Sequence, residues 1–277
     1  MPPSITHRSL LEPQSLTDAL AMLGSERQLT PMAGCTDLYV SLNFGTLKAT
    51  RFLNLWGLDA LRYIERRGRS LSIGPLTTYT DLIRSPLVRR SAPILAQAAG
   101  EVGGVQIQNR GTLGGNIANA SPAGDTLPVL AALDATLILA SAGAIRSVPF
   151  TSFFTGYRQT VLGADELIVS IEIPCLRGRQ WFRKVGTRAA QAISKVVMAA
   201  VAGDDVRVAV GSVAPTVVRL PETEAALMRG ARMDEVERAL LAEIAPIDDL
   251  RSTADYRRRV TANLLRRAAV ELQLRER

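Results

Sequence analysis

The order of hydrophobic and polar positions in the N-terminal part of the chain predicts a capped helix followed by a β-α-β unit. Ser15 and Asp18 have the spacing of a helix-capping pair, and the helical pattern of apolar residues behind them ends at Gly24. A strand, a helix and a second strand are then predicted at residues 29–33, 37–44 and 51–55.

The central part of the chain predicts a mixed domain of helices and strands. A hairpin is expected to turn at residues 67–69, and Thr78 is expected to cap a short helix. One longer helix is predicted from Pro86 to Ala99, and Asp125 is a favoured N-cap for a helix at residues 126–133. Further strands are predicted at residues 135–140, 145–150 and 167–173.

From Trp181 onward the pattern changes to long alternating or apolar runs, which favour an antiparallel sheet. These runs occupy residues 181–187, 195–202 and 206–213. Helices are predicted after Pro221, and the last has apolar residues at four-residue spacing from Tyr256 to Leu272. Its solvent face is expected to carry Arg257, Arg258, Arg266 and Arg267. We therefore predict the α+β class, with one domain over residues 1–176 and a second over residues 177–277.

Composition and charge exclude several classes of function. The chain has 277 residues, of which 47% are hydrophobic and 21% charged, as is ordinary for a soluble globular protein. The net charge of +7 comes almost wholly from arginines scattered among acids, so we do not expect nucleic-acid binding. No apolar run is long enough to span a bilayer, and residues 1–8 lack the apolar core of a signal peptide. We expect a cytoplasmic protein.

Histidine and cysteine are too scarce for most metal or nucleophilic chemistry. The single histidine, His7, excludes zinc sites of the His/Cys type and argues against a Ser-His-Asp triad. The two cysteines, Cys35 and Cys175, cannot form the four-cysteine site of an iron–sulfur cluster. Any redox chemistry on this chain therefore needs an organic cofactor.

Two loops rich in small residues carry the candidate chemistry. The second loop, residues 109–125, sets three glycines among short polar side chains, and its successive N–H groups predict a concave phosphate or diphosphate site. It contains neither G-x-G-x-x-G nor a P-loop, and on spacing alone a demanding structural turn is an equally good interpretation. The first loop, residues 31–38, opens a helix at Thr36 and Asp37. The two loops together would hold the halves of a dinucleotide diphosphate between them.

The two loops resemble those of a known family. The segments A-G-C-T-D-L (33–38) and G-T-L-G-G-N-I-A-N-A-S-P-x-x-D (111–125) are similar to the flavin-binding medium subunits of molybdenum hydroxylases, the xanthine dehydrogenase and carbon monoxide dehydrogenase family. The likeness continues through residues 153–157, 166–174, 182–188, 192–197 and 211–215. It implies a p-cresol methylhydroxylase-like FAD-binding domain, followed by a C-terminal flavoprotein domain of antiparallel sheet and helices.

The resemblance also implies a set of FAD contacts. The two loops would bind the diphosphate, Asp125 would accept hydrogen bonds from sugar or ribityl hydroxyls, and Lys184 would stabilise charge on the reduced ring. Val102 and Ile168 fall where the family has apolar or backbone contacts. The family most often has glycine in place of Cys35, so a positive φ there would strain the cysteine by about 1–2 kcal/mol. The predicted FAD-binding residues are Pro31, Met32, Ala33, Gly34, Cys35, Thr36, Asp37, Leu38, Val102, Thr112, Leu113, Gly114, Gly115, Asn116, Ser121, Asp125, Ile168 and Lys184.

The resemblance implies an oxidoreductase subunit that works within a complex, with no catalytic or metal-binding residue of its own. Molybdopterin would lie on a large partner subunit and 2Fe-2S clusters on a small one, from which electrons would reach FAD here and then NAD, oxygen or another acceptor. Two alternatives stay open at this point. One is a self-sufficient flavin oxidoreductase of the p-cresol methylhydroxylase superfamily; the other is a degenerate scaffold subunit without flavin, suggested by Cys35.

Overall fold

The structure is a computed structural model that describes residues 7–26, 28–175 and 177–274. The α-helices in these residues are α1 (Leu16–Ser25), α2 (Thr36–Asn43), α3 (Tyr79–Arg84), α4 (Pro86–Ser91), α5 (Pro93–Glu101), α6 (Val105–Gln108), α7 (Leu113–Asn119), α8 (Leu127–Ala132), α9 (Pro221–Met228), α10 (Met233–Glu243) and α11 (Ala254–Glu271). The strands are β1 (Ser9–Leu11), β2 (Thr30–Met32), β3 (Arg51–Asn54), β4 (Ile64–Arg67), β5 (Ser70–Ile73), β6 (Thr136–Ala140), β7 (Ile145–Pro149), β8 (Phe154–Gly156), β9 (Gln159–Thr160), β10 (Leu167–Pro174), β11 (Arg179–Val185), β12 (Val196–Ala202), β13 (Val206–Gly211) and β14 (Val218–Arg219). The predicted domain boundary falls at residue 176, which lies outside the described residues, as do residues 1–6 of the N-terminal segment.

The N-terminal unit is a three-stranded parallel sheet in the order β1-β3-β2, with α2 connecting β2 to β3. This is the predicted β-α-β unit with β1, which the pattern did not predict, added at one edge. A small core that includes Leu20 of α1 and Leu53 of β3 supports the unit. No residue of α2 is fully buried, so this helix lies on the surface.

A five-stranded antiparallel sheet in the order β4-β5-β10-β6-β7 forms the centre of the molecule. Apolar residues of β5, β6 and β10 form the largest core together with residues of α3, α5, α7 and α8. The wall of the candidate site is built from this region, because β5 leads directly into α3 and β10 begins beside the two loops.

The C-terminal sheet is antiparallel, in the order β11-β12-β13-β14, and is covered on both faces. Val197 and Ala199 of β12 pack into the central core, whereas Val196 and Met198 pack into a second core with α9, α10 and α11. Successive side chains of a strand point to opposite faces, so a strand between two cores reads as one apolar run. The predicted α+β class with a C-terminal antiparallel sheet and helices is confirmed.

Two predictions of local structure are wrong. The single helix predicted from Pro86 to Ala99 is divided into α4 and α5, because Pro93 has no N–H for the helix ladder and its ring disfavours a helical residue before it. Arg257, predicted on the solvent face of α11, is buried. Its guanidinium donates to the Ser212 carbonyl at 2.6 Å and to the Asp249 carboxylate at 2.6 Å. The short elements β8, β9, β14, α6 and α7 were not predicted either.

Candidate functional site

The two loops line a common cavity of about 330 Å³. Twelve of the predicted FAD-binding residues lie on its wall: Pro31, Ala33, Gly34, Cys35, Thr36, Asp37, Leu38, Thr112, Gly114, Gly115, Asn116 and Ile168. The loops therefore face one space, as a shared diphosphate site requires.

Gly34 allows the first loop to lie directly against the start of the second. A Cβ atom at this position would overlap the carbonyl oxygen of Arg110. The Arg110 guanidinium in turn stacks on the Trp56 ring, with 3.7 Å between its central carbon and the ring centroid. Protein packing alone thus requires a glycine at residue 34.

The first loop offers backbone N–H groups that have no internal acceptor. Within the described ranges, the amides of residues 34–38 donate to no protein atom. Cys35 has φ 65° and ψ 5°, the left-handed conformation at which a cysteine was expected to be strained. A left-handed residue before a helix directs successive N–H groups toward one point, where the positive end of the helix dipole adds to them. Residues 34–38 therefore form a cradle for an anion at the start of α2.

The second loop is largely helical, and its amides are used within the protein. Thr112 caps α7, and its hydroxyl accepts the N–H of Gly115 at 3.1 Å. The N–H groups of Leu113, Gly114 and Asn116 donate to backbone carbonyls. The prediction of exposed N–H groups is therefore wrong for residues 113–116, because the carbonyls of Pro75 and Thr77 and the cap residue Thr112 accept them.

The glycines of the second loop are required by close packing of protein elements. A Cβ atom at Gly111 would lie 2.7 Å from the Tyr79 ring, and one at Gly114 would lie 2.5 Å from Pro75. Both distances are shorter than side chains tolerate, so the glycines let α7 lie against α3 and the turn after β5. Approach of a ligand is not needed to explain them.

Asp125 and Lys184 bind each other and do not line the cavity. Lys184 Nζ lies 2.6 Å from Asp125 Oδ2 and 2.9 Å from the Glu101 carbonyl oxygen, and the Ser194 hydroxyl donates to Asp125 Oδ1. Both side chains are buried, at 6% exposure for Lys184 and 9% for Asp125. Burial raises the pKa of the Asp125 carboxyl, and the Lys184 ammonium acts in the opposite direction. The predicted capping role of Asp125 is wrong, because Thr126 is the N-cap of α8.

Four other predicted contacts also lie off the cavity wall. Leu113 is fully buried in the central core, and Val102 packs against that core from the end of α5. Met32 ends β2, and the Ser121 hydroxyl accepts a backbone N–H two residues further on. Contact of these residues with FAD stays a prediction, as does that of the whole predicted set.

The rest of the wall consists of residues that the sequence did not single out. They are Leu55, Leu61, Pro75, Leu76, Tyr79, Ala118, Asn119, Leu162, Glu166 and Leu167. Four of them, Ala118, Asn119, Glu166 and Leu167, lie inside segments that carry the family likeness, which was the available signal. The others come from separate elements that only the tertiary fold brings together.

The chemistry of the cavity fits FAD. The free amides of residues 34–38 suit an anionic diphosphate. The side-chain oxygens of Asn116 and Asn119 accept from Thr126 and Arg158, so their Nδ2 groups are the donors that could meet ligand hydroxyls. Apolar residues such as Leu76 and Ile168 provide surfaces for flat rings.

Comparison with known families decides the class of the protein. Residues 6–176 match the FAD-binding domain of molybdopterin dehydrogenases, and residues 180–272 match the C-terminal domain of carbon monoxide dehydrogenase flavoproteins. The chain belongs to this family. It is an FAD-binding subunit of the molybdenum hydroxylase dehydrogenases, and the predicted resemblance, FAD cofactor and oxidoreductase class are confirmed.

Individual relatives of this FAD-binding subunit match it over nearly their whole length. The glyceraldehyde dehydrogenase medium chain of Sulfolobus acidocaldarius is 32% identical over 274 residues, covering 95% of this chain and 98% of the relative. The carbon monoxide dehydrogenase medium chain of Hydrogenophaga pseudoflava is 32% identical over 272 residues, covering 92% and 93%. A solved structure of carbon monoxide dehydrogenase from H. pseudoflava matches with a TM-score of 0.91 at 29% identity, covering 99% of this chain and 98% of that one. In the described parts of the subunit, no helix combines the length and apolar character needed to cross a membrane.

Proposed function

We propose that this FAD-binding subunit is the electron-transfer subunit of a three-part complex. It would receive electrons from 2Fe-2S clusters on a small partner, which are supplied by a molybdenum–pterin centre on a large partner, and deliver them to NAD, oxygen or another acceptor. The observation that carries this proposal is the cavity in which the free amides of residues 34–38 face α7.

Each part of the cavity has a distinct task in this proposal. The amides of residues 34–38 hold the diphosphate, aided by the dipole of α2. Leu76, Leu167 and Ile168 exclude water from the ring system, and Asn116 orients hydroxyl groups. Bound FAD supplies a carrier that can exchange one or two electrons with its neighbours.

We infer a division of the chain at residues 176 and 177, as the change of sequence pattern predicts. The two family matches end and begin at residues 176 and 180, which supports this division. The buried Asp125–Lys184 ion pair joins the two parts, because Asp125 precedes α8 and Lys184 lies on β11 of the C-terminal sheet.

The proposal of partners rests on residue chemistry and on the relatives. Two cysteines cannot hold the clusters that would deliver electrons one at a time. The matched proteins of S. acidocaldarius and H. pseudoflava are named medium chains of dehydrogenases. A chain of this kind would position FAD between a donor and an acceptor held by other molecules.

Electron delivery tests the proposal. The full chain is loaded with FAD and mixed with a reduced small subunit that carries 2Fe-2S clusters, and flavin reduction is followed by absorbance. We expect rapid reduction with the small subunit and none with an organic substrate alone. The control is the same mixture with the small subunit's clusters removed.

Two other results would each favour an alternative. Reduction of the isolated, FAD-loaded chain by an aldehyde or heteroaromatic substrate would indicate a self-sufficient oxidoreductase. A folded chain that takes up no flavin and still binds the partner subunits would indicate a scaffold.

A further inference from the structure

Tyr79 stands at the junction of the two loops. It is the first residue of α3, and its N–H donates to the carbonyl of Gly111 at 3.2 Å. Its ring packs beneath Gly111, where a Cβ atom would lie 2.7 Å from the ring. Because Gly34 packs against the neighbouring Arg110, the aromatic ring lies next to the point where both loops meet.

The hydroxyl of Tyr79 has no protein partner in the described part of the chain, although the residue is largely buried. The residue is 3% exposed and lines the cavity, yet its hydroxyl makes no hydrogen bond to any described residue. On a cavity wall, a hydroxyl that has no protein partner is completed by a ligand or water in the cavity.

The phenol of Tyr79 stays protonated and can therefore donate a hydrogen bond. Burial raises the pKa of Tyr79 far above its ordinary value, and the carboxylates of Asp37 and Asp125 raise it further. A neutral phenol donates one hydrogen bond, and the acceptor that gains most from such a donor is an anionic oxygen. The free amides of residues 34–38 on the same cavity prefer the same kind of ligand.

We infer that Tyr79 is a positioning residue whose phenolic O–H donates to the diphosphate of FAD. The inference rests on the diphosphate site proposed above and adds to it a side-chain donor on the wall of the same cavity. The protein itself does not need this hydroxyl, because the ring alone fills the space beneath Gly111.

A pair of tyrosine-to-phenylalanine variants of the full chain tests the inference. Tyr79→Phe removes a hydroxyl that has no protein partner, whereas Tyr63→Phe removes one that bonds to Ser170 Oγ at 3.0 Å and lies off the cavity. Affinity for FAD and for riboflavin, which lacks the diphosphate, is measured by quenching of flavin fluorescence. Stability without flavin is measured by thermal unfolding.

The two variants should affect different properties of the chain, FAD affinity in one and stability in the other. Tyr79→Phe should weaken FAD binding about tenfold or more, leave riboflavin binding unchanged and leave the Tm of the flavin-free chain undiminished. Tyr63→Phe should lower that Tm by about 2–4 °C and leave FAD affinity unchanged.

Three results would overturn the role of Tyr79. The first is wild-type FAD affinity in Tyr79→Phe, and the second is an equal loss of FAD and riboflavin affinity in that variant. The third is a loss of stability in Tyr79→Phe as large as that in Tyr63→Phe, which would show that the hydroxyl has a structural role. Failure of the wild-type chain itself to bind FAD would overturn the proposed site and this inference together, so the two failures are distinguishable.

Discussion

Residues 34–38 and four of residues 112–116 line the same cavity, and both segments contain glycine, but their backbone amides differ in whether they have protein acceptors. In the first segment the N–H groups meet no acceptor among the described residues. In the second, the N–H groups of residues 113–116 all have protein acceptors, namely the carbonyls of Thr77 and Pro75 and the cap residue Thr112. The first segment runs into the first turn of a surface helix, and the second is packed into the central core.

This difference shows that glycine content and ligand contact are separate properties. Gly34, Gly111 and Gly114 all lie where a Cβ atom would meet protein atoms, so packing explains each of them. What distinguishes the first segment is that the first-turn amides of α2 and the left-handed Cys35 before them have no protein acceptor in the part of the chain that the structure describes and lie on the cavity wall. The first segment would therefore hold the ligand, and the second would hold the first segment in place.

The largest expected effect concerns the buried ion pair that joins Asp125, at the end of the second loop, to Lys184 of the C-terminal sheet. Lys184→Met leaves the Asp125 carboxylate buried without its cation, and we expect a loss of about 3–5 kcal/mol in unfolding free energy. Because burial raises the folded-state pKa of Asp125 above its unfolded value, ionisation of this group opposes folding as pH rises through that pKa. The deficit should be greatest near neutral pH and should shrink in acid, as denaturant titrations at several pH values would show.

The double variant Asp125→Asn, Lys184→Met is the matched control. It removes both charges and should recover most of the lost stability, because the amide oxygen of the introduced asparagine can still accept the hydrogen bond of Ser194. If the double variant folds but has lost affinity for FAD, the pair contacts the cofactor directly. That result would favour the predicted roles of Asp125 and Lys184 over an anchoring role.

The next largest effects come from alanine substitutions at two glycines, which distinguish the roles of the two segments. Gly114→Ala forces a methyl group against Pro75 in the core and should cost about 1–3 kcal/mol of stability, while the folded fraction still binds FAD. Gly34→Ala also clashes, but the loop before the exposed helix α2 can move away. We therefore expect a smaller loss of stability than in Gly114→Ala, together with a loss of FAD affinity.

Gly100→Ala provides the control for this pair, because a Cβ placed there would meet no other element of the protein within 4 Å and the residue is inside α5. It should leave FAD affinity unchanged and should stabilise the helix by up to about 1 kcal/mol. Equal losses of FAD affinity in Gly34→Ala and Gly114→Ala would contradict the distinction between a binding segment and a supporting segment.

Local patterns predicted the local structure well. The Ser15 hydroxyl accepts the N–H of Asp18 at 3.1 Å, as the capping pair predicted, and Thr78 and Asp81 form a complete capping box. A cap depends on residues three positions apart, so the sequence contains all of it. The strands that pack on both faces were also predicted, since their apolar runs reflect burial directly.

The partners of distant polar residues were not predictable in this way. Lys184 and Asp125 are 59 positions apart, and nothing near either residue indicates an ion pair. Tyr79 reads as an ordinary core residue of a short helix, and its free hydroxyl is evident only when its neighbours are known. Even the second loop, whose motif was identified by resemblance, was assigned the wrong use of its amides because α7 was not predicted.

The smallest expected effect tests the left-handed residue in the first segment. Cys35→Gly should raise unfolding free energy by about 0.5–1 kcal/mol, since relief of roughly 1–2 kcal/mol of strain at φ 65° is partly offset by the greater freedom of glycine in the unfolded chain. Cys35→Ala keeps the strain and removes only the thiol. Burial raises the pKa of this thiol, so both variants lose a neutral group. Denaturant unfolding of both variants separates backbone from side chain. An equal gain of stability in the two variants would assign the effect to the thiol. A gain in Cys35→Gly alone, with FAD affinity retained, would show that the cradle depends on its backbone shape and tolerates cysteine at a small cost in stability.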